Sequence, residues 1–299
     1  MATTENQEAS NSDPVCQERS LLVSTLHQIT ECLESTVGES KDVFQATQDV
    51  HNYISLDNPK GIRQLFAPMA VYARALSTLG YRTWQEVEGC VSKHYRIEAV
   101  QQTVEDLLSA EESYKNLVST VEIDLEKYET KQAYKKTITA GDFLPAELTL
   151  SLVDGSIPTL ESYLKRHLHA FKEQLLRLEG LGCQVVVVAR GTAESAEKWL
   201  EYTKLTFLLL LDFDLKLYRH FGLRRSVSAV WSIPTLLSYA EEKVAGVPPA
   251  PSYPGDDIHV LGGDFIVDSR GQLVYAYLSK FSSDRPQLDD VFETIVQLG

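Results

Sequence analysis

The first part of the chain carries apolar residues at alternating three- and four-residue spacings, the pattern of one face of an α-helix. These residues are Leu22, Leu26, Ile29, Leu33, Val43, Val50 and Ile54. They predict one long helix, or two helices broken near Gly38, ending at the breaker sequence of residues 57–59. The polar residues 1–16 predict a disordered tail.

A stricter heptad pattern occupies residues 60–134. Its a and d positions are Ile62, Leu65, Met69, Tyr72, Leu76, Leu79, Ile97, Val100, Val104, Leu107, Tyr114, Val118, Val121, Leu125 and Tyr128. Such sustained spacing predicts a coiled-coil surface. An unbroken helix would be about 110 Å long, so a kink or turn near Gly80 or Gly89 is compatible with the pattern. A helix cannot bury its seam on itself, so we expect this one to pack on the helix predicted over residues 17–56 and on a second chain. Residues 17–136 should therefore form a helical domain that dimerises with a second copy.

After residue 136 the pattern changes to short strands and helices. Strands are predicted at residues 146–153, 184–189, 206–211, 264–268 and 272–278, the last two forming a hairpin around Gly271. Helices are predicted at residues 158–179, 192–202, 213–221 and 288–298. Alternating strands and helices predict an α/β domain over residues 146–299. The fold class is therefore α+β, with long helices followed by an α/β domain.

Three stretches of this second domain carry a family resemblance. They are residues 178–188 (LEGLGCQVVVV), 212–223 (DFDLKLYRHFGL) and 261–268 (LGGDFIVD). With the hairpin and the last helix, they resemble the peroxiredoxin-like 2 family of AhpC/TSA-type proteins, which implies a thioredoxin-like fold. The resemblance also implies thiol-dependent reduction of peroxides or prostaglandin endoperoxides. That chemistry needs a cysteine at the end of the first core strand, where a helix N-terminus lowers its pKa.

The residues that should carry this chemistry are absent from the sequence. Residues 163–171 run directly into the helix that should follow the site, without the apolar strand and cysteine ahead of it. The missing strand would be central in the sheet. Two interpretations stay open: a non-catalytic relative, or a spliced or mispredicted chain that lost a segment near Arg166 and His167.

The net charge of the chain limits the classes of partner that it is expected to bind. The chain has 28 basic and 42 acidic side chains and a net charge of -14, without the basic cluster that nucleic-acid binding requires. Long helices ahead of another module also resemble the BAR-type region of sorting nexins, which leaves binding to a membrane surface open. The acidic balance favours a simple dimerising coiled coil instead.

The cysteines are far apart, without CxxC or paired Cys/His spacing for zinc. Cys183, at a strand start, is either a redox thiol or, more simply, a buried apolar residue. Cys90 fits packing or a contact across a dimer, Cys32 fits a structural role, and Cys16 lies in the tail. With no spanning segment and no signal peptide, the sequence predicts a reduced, cytoplasmic protein.

Other polar residues have a functional and a simpler interpretation. His167 and His169 point to different sides of a helix and are expected to face solvent rather than bind a metal. Arg224 and Arg225 could hold an anionic substrate but are more typical of surface charge.

Asp212 and Asp214 are expected to cap a helix rather than to act as paired catalytic carboxylates. Residues 244–257 predict a connecting loop, and Gly262 with Gly263 predicts a close backbone approach. No catalytic, cofactor-binding or metal-binding residue is therefore assigned. The favoured function is a non-catalytic, dimeric binding or scaffold module; the alternatives are a thiol-dependent oxidoreductase and a BAR-like trafficking protein.

Overall fold

The computed structural model describes most of the chain. The described residues are 14–47, 49–55, 58, 60–132, 137–144, 151–152, 161–190, 192–247, 257–281 and 284–298. The chain forms two compact units, each built from two stretches of sequence. The helical unit comprises Met1–Ile123 and Trp231–Pro248, and the mixed unit comprises Asp124–Val230 and Pro249–Gly299.

Long helices come first, and small sheets with shorter helices follow. The helices are α1 Pro14–Thr47, α2 Val50–Ile54, α3 Ala67–Leu79, α4 Trp84–His94, α5 Glu98–Gln132, α6 Glu161–Glu173, α7 Leu175–Gly180, α8 Ala193–Thr203, α9 Lys216–His220, α10 Ser228–Trp231, α11 Ile233–Val244 and α12 Leu288–Leu298. The strands are β1 Ser151–Leu152, β2 Val186–Ala189, β3 Leu208–Leu211, β4 Gly263–Val267 and β5 Leu273–Leu278. The predicted fold class is confirmed.

The α1 helix runs through Gly38 without a break, so the break falls not at Gly38 but after Thr47. It ends at Thr47, ten residues before the expected breaker, and α2 follows after a cap in which Asp49 accepts a hydrogen bond from the His51 backbone. Most of the predicted tail lies outside the described residues. Its last three residues, 14–16, are instead the first turn of α1.

The heptad region is three helices rather than one. Gly80 ends α3 with a φ of 74°, and its N–H bonds to the carbonyls of the last turn, so the predicted break near Gly80 is confirmed. A capping box between Thr83 and Glu86 then starts α4. Gly89 lies inside α4, and the second break falls at residues 95–97 instead.

The heptad seam is buried within a single chain. Tyr72, Val100, Tyr114 and Val121 have almost no exposed surface. The hydroxyl of Tyr114 donates to the Leu65 carbonyl at 3.1 Å, and that of Tyr72 donates to Glu111 at 2.6 Å. The packing predicted between this seam and the first long helix is therefore confirmed. Dimerisation itself stays a prediction.

The helix α11 was missed by the sequence analysis, which assigned no element to residues 228–243. It belongs to the helical unit and packs on α3. Its Glu241 accepts a hydrogen bond from the Trp84 backbone at 2.8 Å, and Trp231, just before it, packs edge-on against Phe66. An amphipathic helix from the second half of the sequence thus covers the first.

The mixed unit contains two small sheets. In one, β3 lies between β1 and β2, antiparallel to β1 and parallel to β2. In the other, β4 and β5 form the predicted hairpin, turned at Gly271 with a φ of 84°. The strand predictions are confirmed to within about two residues where described, as expected for element boundaries.

The core of the mixed unit lies between the larger sheet and its helices. It contains Trp199 from α8, Leu209 from β3, Leu168 and Phe171 from α6, and Phe292 from α12. The predicted helix over residues 158–179 is divided at Gln174 into α6 and α7. In the described part of the chain, no helix has the length and apolar content needed to cross a membrane.

Candidate functional site

A cavity of about 850 Å³ lies in the mixed unit, along the free edges of its two sheets. It is lined by the whole of residues 183–190, around β2, and of residues 260–269, around β4. Within the described residues, β2 pairs only with β3, and β4 pairs only with β5. Each of these strands therefore has one edge without a described partner strand, and both strands line the cavity.

The side chains on these edges are more exposed than their sequence predicts. Residues 185–189 are an apolar run, typical of a strand covered on both faces. Nevertheless Val186 is 40% exposed, and Val188, Phe265 and Ile266 are only half-buried. Within the described residues, the faces of β2 and β4 are therefore covered less completely than the sequence predicts.

The walls of the cavity are mostly apolar. Leu168 and Phe171 of α6 and Val291 and Ile295 of α12 contribute to its lining, together with Leu217 and Phe221 of α9. Phe221 stacks on Phe265 of β4 with ring centroids 4.0 Å apart. Apolar walls with a few convergent polar groups are typical of a binding pocket.

One polar pair inside the cavity joins a helix to a sheet. Nε2 of His167, on α6, lies 2.6 Å from Oδ1 of Asp264, on β4. The imidazole is 8% exposed and packs edge-on against Phe171. The prediction that His167 faces solvent is therefore wrong: the side chain is buried and hydrogen-bonded.

Two further polar side chains lie in the lining. Burial, and then the charge of Asp212, raises the pKa of Tyr218 to about 12, and its hydroxyl donates to the Val188 carbonyl at 3.3 Å. Burial lowers the pKa of Arg285 from its ordinary value, although Asp264 and Asp284 oppose that shift. Tyr218 is thus a neutral donor at neutral pH, and Arg285 a buried cation.

Residues 167–280 match the family model described as AhpC/TSA antioxidant enzyme. This part of the chain is a peroxiredoxin-like AhpC/TSA domain. The match begins at His167, where the sequence analysis placed the join. Neither the search of curated proteins nor that of solved structures found a match, and nothing in the comparisons supports a BAR-like region.

The AhpC/TSA domain has a single cysteine, at a position unlike that of a peroxidatic thiol. Cys183 precedes β2, at the amino end of this strand, whereas the expected thiol follows the carboxyl end of a strand and begins a helix. Its Sγ lies 3.8 Å from the Leu181 carbonyl, and the residue is partly exposed on the cavity. The sequence has no cysteine between Cys90 and Cys183.

The two arginines considered for anion binding are paired with carboxylates. Arg225 Nε lies 2.8 Å from Asp257 and its Nη1 lies 3.1 Å from Glu129. Arg224 is exposed, with Nη1 3.9 Å from Glu126. Burial favours a raised pKa for Asp257, but the hydrogen bond from His259 and the charge of Arg225 outweigh it and hold the pKa well below its usual range.

The remaining predicted positions have structural roles. Both carboxylate oxygens of Asp212 accept hydrogen bonds from the backbone at the start of α9, at 2.7 and 2.9 Å, while Asp214 is exposed. At Gly263 a Cβ would lie 2.6 Å from the Tyr277 carbonyl, which is the expected close approach. Most of the predicted loop over residues 244–257 lies outside the described residues.

Proposed function

We propose that the AhpC/TSA domain is a non-catalytic binding module that takes up an extended polypeptide segment between β2 and β4. The observation that carries this proposal is the open cavity along two free strand edges. Unpaired N–H and C=O groups on a strand edge favour the addition of another strand. A segment that paired with both strands would have hydrogen-bond partners on both sides.

The chemistry of the lining supports a segment with apolar side chains. Alternate side chains of an inserted strand point to opposite faces of the sheet. One face would meet Leu168 and Phe171, and the other would meet Leu217 and Phe221. Such a partner would complete the half-buried apolar surface of β2 and β4.

The lack of a suitable thiol supports binding rather than peroxide reduction. A peroxidase needs a thiolate stabilised at a helix N-terminus. No cysteine lies between Cys90 and α6, and Cys183 lies at the amino end of its strand. The domain therefore keeps the surroundings of the family's central strand without its nucleophile.

Gly262 offers a direct test of the proposed binding site. It lines the cavity, and a Cβ there would meet only Arg285, at 3.7 Å. We expect a library of displayed linear peptides to yield apolar, extended binders of the full chain. Gly262→Leu should weaken binding of these peptides at least tenfold by filling the cavity.

Gly180→Leu is the matched control, because a side chain at this helix end meets nothing within 4 Å. It should bind the peptides like the wild type, and thermal melts should show that both variants are folded. Failure to select any peptide, or equal loss of binding in both variants, would overturn the proposal.

The second candidate is a thiol-dependent reductase that uses Cys183, because this thiol is partly exposed on the same cavity. Its thiolate would attack the O–O bond, leaving a sulfenic acid and releasing water or an alcohol. Thioredoxin would then supply the electrons that restore the thiol. This candidate predicts peroxide turnover that Cys183→Ser abolishes and Cys32→Ser preserves.

A further inference from the structure

Three metal-binding side chains meet in the helical unit. Glu18 comes from the start of α1, and Cys90 and His94 come from the end of α4. One ligand atom from each residue lies within 4.8 Å of the others. Cys90 Sγ is 3.9 Å from Glu18 Oε1, and His94 Nε2 is 3.0 Å from Glu18 Oε2.

The local sequence explains why these residues converge. Cys90 and His94 are four residues apart and therefore share one face of α4, the spacing of paired ligands on a helix. The sequence analysis overlooked this pair when it found no Cys/His spacing for zinc. Glu18 could not be found in this way, because it is 72 residues from Cys90 along the chain.

The cluster lies at a partly sheltered position. The side chains of Cys90 and His94 are buried, and that of Glu18 is about one-third exposed. The hydroxyl of Tyr81 hydrogen-bonds Cys90, which raises the pKa of Tyr81 to about 12. Packing thus holds the side chains of Cys90 and His94 in place, while the exposed part of Glu18 leaves the cluster accessible from solvent.

The distances suit a tetrahedral zinc ion. Zinc binds sulfur at about 2.3 Å and nitrogen or oxygen at about 2.0–2.2 Å, which places its ligand atoms about 3.3–3.6 Å apart. The two observed separations, 3.0 and 3.9 Å, lie on either side of that range. All three ligand atoms lie within 4.8 Å of one another, so shifts of about 1 Å separate the present arrangement from ligation of one ion.

The chemistry of the three ligand atoms also determines which metal ions the cluster favours. A thiolate and an imidazole favour zinc and similar transition metals over magnesium or calcium, which prefer oxygen. At present Lys93 compensates Glu18, with Nζ 2.7 Å from Oε2. Lys93 is more than half exposed, so its ammonium group can move into solvent when a divalent ion binds.

We propose that Glu18, Cys90 and His94 form a zinc site that joins the start of α1 to the end of α4. On binding, the Cys90 thiol releases its proton to solvent, and zinc replaces the Lys93 ammonium group beside Glu18. Three protein ligands leave the fourth position to water. This inference is independent of the function proposed for the AhpC/TSA domain.

Cobalt is the most direct probe, because thiolate ligation gives Co²⁺ a charge-transfer absorption band. We expect the full chain, freed of metal by chelation, to bind one Co²⁺ with this band, and Zn²⁺ to displace it. Cys90→Ser should abolish the band, and His94→Gln should weaken Co²⁺ binding at least tenfold. Zinc should also raise the melting temperature of the wild type.

Cys32→Ser is the matched control, since Cys32 is also on α1 but about 21 Å along the helix from Glu18. It should keep the band unchanged. Circular dichroism shows whether each variant is folded, and Glu18→Gln provides a substitution of similar size at the exposed ligand. Absence of the band in the wild type, or its persistence in Cys90→Ser, would overturn the site.

Discussion

At the scale of single residues, buried charged side chains in the AhpC/TSA domain contact groups that compensate their charge. Asp257 illustrates this: its carboxylate, about nine-tenths buried, contacts Arg225 at 2.8 Å and His259 at 3.2 Å. Removing one partner from such a group leaves an uncompensated charge, which costs about 3–5 kcal/mol. These residues are therefore structural, although Arg225 was considered for substrate binding.

Asp257→Asn should lower the free energy of unfolding at neutral pH by about 3 kcal/mol or more. The folded pKa of Asp257 is depressed, so its stabilising contribution is complete above the unfolded pKa of about 4. It is lost as the pH falls below that value toward the folded pKa. The difference in unfolding free energy between the wild type and the variant should therefore be constant from pH 7 to about pH 5 and should narrow toward pH 3.

Asp214→Asn is the control for this prediction, because Asp214 is exposed and its contact with Lys216 is at the surface. It should unfold like the wild type at every pH. A constant difference between the Asp257→Asn variant and the wild type down to pH 3 would contradict the assignment.

At the scale of elements, the sequence predicted which segments form helices and strands, but it did not predict which distant residues these elements contact. The strands around Val187, Leu209 and Ile266 were found because apolar runs this short, bounded by turn and loop residues, are typical of buried strands. The pairing of His167 with Asp264 spans 97 residues, and no local pattern encodes it. Hydrophobic periodicity therefore predicts where an element lies in the sequence, but it does not predict which other elements pack against it.

The heptad seam shows the same limit. Its spacing correctly marked Tyr72, Tyr114 and Val121 as buried, but the pattern could not tell a second copy from the chain's own helices. The turn at Gly80 folds α3 back so that neighbours within the chain supply the cover. The apolar residues still exposed on α5 include Leu108 and Ile123, each more than half exposed.

Dimerisation through the helical unit is tested by the mass of the full chain in solution. We expect light scattering to give the mass of two chains, and Leu108→Glu to shift it toward one, because a buried charge opposes association. Val296→Glu should leave the mass unchanged, since Val296 is similarly exposed but lies on α12. A wild-type mass of one chain at micromolar concentration contradicts the dimer.

At the scale of the whole molecule, the chain forms a helical unit and a mixed unit, and α11, from within the AhpC/TSA match, belongs to the helical unit. The change of periodicity near residue 136 predicted long helices followed by a mixed α/β region, but it did not predict that α11 would join the helical unit. The loss of a central strand ahead of residues 163–171, where the cysteine is missing, stays a prediction. The cavity lined by β2 and β4 could not be predicted, because it depends on how strands distant in the sequence pack together.

The central claim is that this domain binds without catalysing peroxide reduction, and turnover tests it most directly. We would measure hydrogen peroxide consumption by the purified full chain with thioredoxin, its reductase and NADPH, beside a thermal melt. The account predicts a cooperative melt and no consumption above that of the Cys183→Ser variant. Consumption by the wild type that Cys183→Ser abolishes would contradict it and establish the domain as a working reductase.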